Sequence, residues 1–278
     1  MIRFLLRPFR SSRPVVPVIR LQGVIAASST MRRGLSMAGL APVIDRAFNQ
    51  KGAKAVALVI NSPGGSPVQS ALIAGRIRHL SKAKNIPVIS FVEDVAASGG
   101  YWLACAGDEI IVNPASVVGS IGVVSAGFGF DKAIEKIGVS RRVYTAGTRK
   151  GMLDPFSPES PDDIAHLKGL QQDIHDQFIT MVKRRRGSRL AGEDADLFSG
   201  AFWTGQASIS LGLADKTGEL RQELENRFGE KVDIRLMQPK RSLLGLGGGG
   251  VSGALADASV DSLIDALTEK LERSRFGL

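Results

Sequence analysis

Ile86-Pro87-Val88-Ile89-Ser90-Phe91-Val92-Glu93-Asp94-Val95-Ala96-Ala97-Ser98-Gly99-Gly100-Tyr101-Trp102 is the stretch that decides the fold. Its first seven residues form an apolar run of strand length and read as a buried strand. The Gly, Ala and aromatic residues after Ser98 read as a packed helix. A small-residue turn between strand and helix holds a serine Oγ exposed, with the next backbone N–H groups facing outward. That is the geometry an acyl-transfer nucleophile needs. The same unit occurs once more upstream. Ala55–Ile60 is a buried strand, Asn61-Ser62-Pro63-Gly64-Gly65-Ser66 is a glycine turn, and Pro67 sits where the first turn of a helix tolerates proline. That helix runs on through Leu72, Ile73, Ile77 and Leu80. Two such units in succession point to a serine hydrolase built on adjacent parallel strands.

The rest of the chain extends the alternation. Strands are expected at 15–21, 23–26, 109–112 and 141–145, and helices at 39–50, 130–137 and 161–185. Pro161 and two acids open the last helix and basic residues close it, which suits the helix dipole. Alternating strands and helices with short turns predict an α/β layer fold. Residues 1–13 read as a basic arm. Residues 241–253 are Gly-rich and read as a flexible linker. An amphipathic helix is expected at 258–274, with Leu263, Ile264, Leu267 and Leu271 on one face.

Composition narrows the function classes. The single cysteine, Cys105, excludes an intrachain disulfide and offers no metal-binding spacing, so it reads as a buried core thiol. The net charge of +9 is concentrated in Arg3, Arg7, Arg10 and Arg13 and in Lys183–Arg186. No aromatic residues interleave with these clusters, so nucleic acid is not an expected partner. No apolar run approaches the ~20 residues of a spanning helix, and the N-terminal apolar stretch is too short for a signal peptide. The expected location is therefore cytoplasmic. The arm reads either as a loose extension or as a peripheral attachment to an anionic membrane face. No cofactor or metal is expected. Gly245–Gly250 matches the dinucleotide fingerprint in form only, and there is no Walker loop, HExxH, GxSxG or SxxK.

A serine nucleophile needs a base. His79, His166 and His175 all fall inside expected helices, where a solvated or packed histidine is ordinary. Lys150 follows the expected strand 141–145 through small residues, and a lysine serves as a base once burial lowers its pKa. The residues alone leave this choice open. For the oxyanion, the N–H groups of Gly65 and Gly99 are the natural pair. The plainer reading is that both glycine turns are merely tight connections.

The chain resembles the signal peptide peptidase A family of serine–lysine proteases in its short, single-module, SohB-like form. The resemblance rests on Leu58–Gly65, Ala97–Trp102, Val118–Val123, Thr145–Lys150 with Asp154–Phe156, and Trp203–Ala207 with Leu211–Asp215. It implies a ClpP/crotonase-like superhelix of strand–turn–helix units and makes 14–240 the protease domain. It implies Ser98 as nucleophile, Lys150 as general base, Gly65 and Gly99 as oxyanion donors, and Ser120 as the serine that hydrogen-bonds the lysine amine. The implied substrates are small or unfolded hydrophobic peptides, including signal-peptide remnants. The implied assembly is a homo-oligomeric ring or dome in which the lysine reaches the serine across a protomer boundary. Two features depart from the family: no N-terminal membrane anchor is expected, and Arg149 sets a second cation beside Lys150. Two other readings compete, a crotonase-like acyl-CoA enzyme using the same N–H pair and a non-catalytic membrane-associated scaffold.

Overall fold

The computed structural model describes residues 13–27 and 34–238. Most of the basic arm, and all of the Gly-rich linker and C-terminal amphipathic helix, lie outside them. The first half of the chain alternates as expected: β1 (Val15–Gln22), α1 (Met37–Phe48), β2 (Val56–Ser62), α2 (Pro67–Lys84), β3 (Val88–Ala97), α3 (Gly99–Ala104) and β4 (Glu109–Val112). After β5 (Val117–Gly119) come α4 (Asp131–Lys136), the long α5 (Pro161–Arg186) and α6 (Asp194–Leu197). The described chain closes with β6 (Phe202–Thr204), α7 (Gly205–Ser210), β7 (Lys216–Thr217), α8 (Leu220–Phe228) and β8 (Asp233–Leu236).

The strands form one sheet in the order β6-β5-β3-β2-β1-β8, with β4 branching from β3 and β7 pairing with β4. Every pairing is parallel except β5 with β6. The central strand β2 is buried at all of its positions, as a parallel strand covered on both faces must be. One face packs against α1, α2 and α3 through Ile19, Leu58, Ile60, Ile73 and Ile77. The opposite face meets α8 through Val18, Val59, Phe91 and Leu224. Each such side chain contributes roughly 1.5–3 kcal/mol relative to exposure.

The strand β3 forks. Ile89–Val92 pair with β4, whereas Val95–Ala97 pair with β5. Glu93 and Asp94 sit at the fork, where Glu93 is ion-paired to Arg20.

Local signals set the helix ends. Ser66 caps α2 by accepting the Gln69 N–H, Pro67 occupies its first turn, and Asn85 ends it in a left-handed conformation at φ 53°. Its buried face is Ile73, Ala74, Ile77 and Leu80. Leu72, expected on that face, is turned to solvent and half exposed.

Two other expectations need correction. Residues 141–145 are not a strand. Val143, Tyr144 and Thr145 carry strand propensity, but among the described residues no strand pairs with them to complete a ladder. Residues 23–26 are not a full strand either, and only Ile25 makes bridges, to Leu35 and Gly65.

From Gly122 to Gln177 no residue is buried. This stretch is an arm that leaves the body after Ile121 and returns along the first half of α5. It has a small cluster of its own. Phe130 lies 5.6 Å from Phe156, and Arg141 covers Phe156 while pairing with Asp154. The arm nonetheless exposes Phe128 (81%), Ile137 (73%) and Tyr144 (91%), an apolar load that is unusual on a free surface.

Candidate active site

The strand β3 ends at Ala97 and α3 begins at Gly99, so a single residue makes the whole turn. Ser98 takes φ 51° and ψ −122° to do so. A side chain in that region costs about 1–3 kcal/mol and persists only where the surroundings impose it. Here they do. The Ser98 N–H donates to Gly119 O at 2.8 Å, and the Trp102 N–H returns to Ser98 O at 3.1 Å. Downstream, Tyr101 donates its hydroxyl to Leu213 O at 2.8 Å and Trp102 stacks on Phe178 at 4.9 Å, which locks α3 against α5.

The first glycine turn presses on this junction. A Cβ added to Gly64 would lie 2.8 Å from the Ser98 Cβ and 2.9 Å from the Gly99 nitrogen. At Gly65, where φ is 135°, an added Cβ would lie 2.1 Å from Ile25 O. Only glycine fits either place. The Ile25 segment straps the turn from the other side. Its N–H donates to Gly64 O and its carbonyl accepts from the Ser66 N–H, both at 2.7 Å. A Cβ on Gly99 would sit 3.4 Å from the Gly65 nitrogen, so the two expected oxyanion donors are neighbours. Gly99 is also the first residue of α3, where backbone N–H groups have no partner within the helix.

The turn after β5 joins the same site through Gly119. Ser120 follows at φ 53°, with its N–H donating to Ala201 O at 2.7 Å. The structure thus brings Ser98, Gly65, Gly99 and Ser120 into one neighbourhood. It does not bring Lys150 there. Lys150 is exposed on the arm, its N–H turned back to Gly147 O, and among the described residues no hydrogen bond joins it to Ser98 or Ser120.

The histidines lie on helices as expected, His79 on α2 and His166 and His175 on α5. His175 also contacts Ile121 O at 3.0 Å, one residue beyond Ser120. Sequence reasoning gave no sign of this. The contact spans 54 positions, and neither spacing nor periodicity encodes it.

Cys105 is the buried C-terminal cap of α3. Burial pushes its thiol up to about 11 against the opposing pull of Arg186. In the native protein at pH 8 it should resist a neutral disulfide reagent and react stoichiometrically once the chain is unfolded in denaturant. Rapid native labelling would contradict its burial.

The volume of the molecule's clefts is a poor guide to the chemistry. A cleft of about 860 Å3 opens toward α8, with Val18, Phe91 and Leu220 along its walls beside the Arg20–Glu93 pair. None of Ser98, Gly65, Gly99, Ser120 and Lys150 lines it. Among the described residues no cluster of His, Cys, Asp or Glu could hold a metal ion, and no helix is long and apolar enough to cross a membrane.

Comparison with known proteins places this architecture. A membrane-bound stomatin-specific protease, solved as a mutant with a substrate peptide, superposes with a TM-score of 0.52 over 92% of this chain and 99% of its own, at 17% identity. A second mutant of it gives 0.50 over 82% and 100% at 18% identity. The likeness establishes the ClpP/crotonase-like fold. The chain is 52% identical over 99% of its length to a Brucella abortus protein named Na(+)/H(+) antiporter NhaA, of which it covers 39%. It therefore spans about two fifths of that longer relative, and the transport name belongs to the whole of it. The chain is also 31% identical, over 92% of its length and 39% of the relative's, to the chloroplastic serine protease SPPA of Arabidopsis thaliana. A family model matches residues 80–234, from α2 through Ser98 and the arm to β8. With the serine junction inside the matched span, the chain belongs to peptidase family S49.

Proposed function

We propose that this chain is a serine endopeptidase with a Ser98–Lys150 dyad, acting on small or unfolded hydrophobic peptides such as signal-peptide remnants. The observation that carries the reading is the strained Ser98 at the β3–α3 junction with the Gly64–Gly65 turn pressed against it. In this mechanism neutral Lys150 Nζ takes the proton from Ser98 Oγ as the oxygen attacks the substrate carbonyl. The Gly65 and Gly99 N–H groups receive the charge that develops on the carbonyl oxygen. The tetrahedral intermediate collapses, the peptide C–N bond breaks, and the lysine returns its proton to the departing amine. Water, deprotonated by the same lysine, then attacks the acyl-serine ester. The second tetrahedral intermediate collapses, the ester C–O bond breaks, the lysine returns the proton to Ser98 Oγ, and the acid product leaves with serine and neutral lysine restored. Ser120 would hold the lysine amine.

Supporting the reading, one of the two solved structures of the stomatin-specific protease holds a substrate peptide. Family membership favours peptide hydrolysis over the acyl-CoA and scaffold readings.

Lys150 would come from a neighbouring copy in a ring or dome. The arm that bears it exposes Phe128, Ile137 and Tyr144, the kind of surface a second copy would cover. The test is complementation. Ser98→Ala and Lys150→Ala proteins should each be inactive, and co-assembled they should recover part of the wild-type rate, because some interfaces pair an intact serine with an intact lysine. Mixed assemblies that form and stay inactive would place the dyad within one chain.

A further inference from the structure

The arm leaves the body at Ile121 and rejoins it along α5, and one side chain closes that neck. His175 Nε2 lies 3.0 Å from Ile121 O. A carbonyl oxygen only accepts, so Nε2 carries the proton and donates. His175 is partly buried, three residues before Phe178, where α5 first becomes buried against the body at Trp102. Ile121 is itself fully buried. The clamp therefore joins the last body residue before the arm to the helix that brings the arm back.

The segment it holds is under strain. Gly119 and Ser120 have φ of 119° and 53° in succession. The first has two backbone partners, in β3 and β6, and its carbonyl accepts the Ser98 N–H. The second is tied by its N–H to Ala201 O. Beyond Ser120 the side-chain tether is His175.

We infer that His175 is a positioning residue: by donating to Ile121 O it fixes the Ser120 turn beside the nucleophile and sets the angle at which the arm carrying Lys150 leaves the body. This rests on the proposed roles of Ser98, Ser120 and Lys150. It assigns His175 no proton transfer.

The test compares His175→Leu, which fills similar space without a donor, with His175→Gln, whose side-chain amide donates. On a chromogenic peptide, kcat should fall about 10- to 100-fold in the Leu protein, the scale of a small misplacement of reacting groups. KM should stay within about 3-fold, since the contact is with the enzyme's own backbone. The Gln protein should recover most of the rate and keep the wild-type pH–rate profile. If the Leu protein fails to fold, His175→Glu replaces it, since an ionised carboxylate cannot donate. Leu and Gln proteins both as active as wild type would overturn the inference. So would a Gln protein that loses a limb of the pH profile, because His175 would then be titrating in catalysis. Ser98→Ala is measured alongside. If it stays active, the proposed site itself has failed, whereas an inactive Ser98→Ala beside a fully active Leu protein removes only the role of His175.

Discussion

Ser98→Ala is expected to lower peptide hydrolysis by about 10^4-fold or more while the protein stays folded, because every chemical step runs through the missing Oγ. Ser98→Gly separates chemistry from strain. It should be equally inactive, and more stable than wild type. Releasing a side chain from φ 51° and ψ −122° returns about 1–3 kcal/mol, while the added backbone freedom of glycine in the unfolded chain takes back roughly 0.5–1. A net gain of about 1 kcal/mol by denaturant titration is the expected result. A Gly variant less stable than wild type would mean that the junction is relaxed, and an active Ala variant would remove Ser98 from the mechanism.

The largest expected loss of stability is at Asp215. Its carboxylate accepts from both terminal nitrogens of Arg186, at 2.8 and 2.9 Å, and from the Ile110 N–H at 2.7 Å. The Arg186 side chain is 2% exposed and also donates to Gly212 O. Asp215→Asn leaves that guanidinium buried without its counter-charge and should cost about 3–5 kcal/mol. Burial alone would raise the Asp215 pKa, but the bonds from Arg186 and Ile110 outweigh it and hold the group below its ordinary value. The unfolded chain therefore binds the proton first. The stabilisation is complete above the unfolded value of about 3.9 and is lost as pH falls from there through the lower folded value. The gap between wild type and Asp215→Asn should be widest near neutrality and narrow below about pH 4. A constant gap down to pH 2 would show that the charge is not what matters.

What the sequence disclosed follows from how local each signal is. The glycine turns, the Ser66–Pro67 helix start and the buried run of β3 are written in consecutive residues, and the structure repeats them. Residues 141–145 carry local strand propensity, yet a strand exists only with a neighbour, and the exposed arm supplies none. The short strands β6, β7 and β8 have two to four residues each, too few to display a period of two. His175 was legible as helical and no further, because its partner Ile121 is fixed by tertiary packing. The site divides the same way. The Ser98 junction and Gly64–Gly65 could be read from local chemistry, while the placement of Lys150 depends on where an exposed arm meets its surroundings.

The fork in β3 has an evolutionary consequence. Ile89–Val92 lie between β2 and β4, whereas Val95–Ala97 pair with the three-residue β5, itself backed by the three-residue β6, and meet β2 only at Ala96 opposite Ser62. On one edge of β3 the half that leads to Ser98 thus begins at Glu93 and Asp94, where the β4 ladder gives way to β5. Substitutions that reshape the turns after β5 and β6 alter what surrounds the serine and leave the register of the core strands untouched. A lineage can therefore explore new preferences in the upper half, one small strand at a time, while selection for a sound fold acts on the lower.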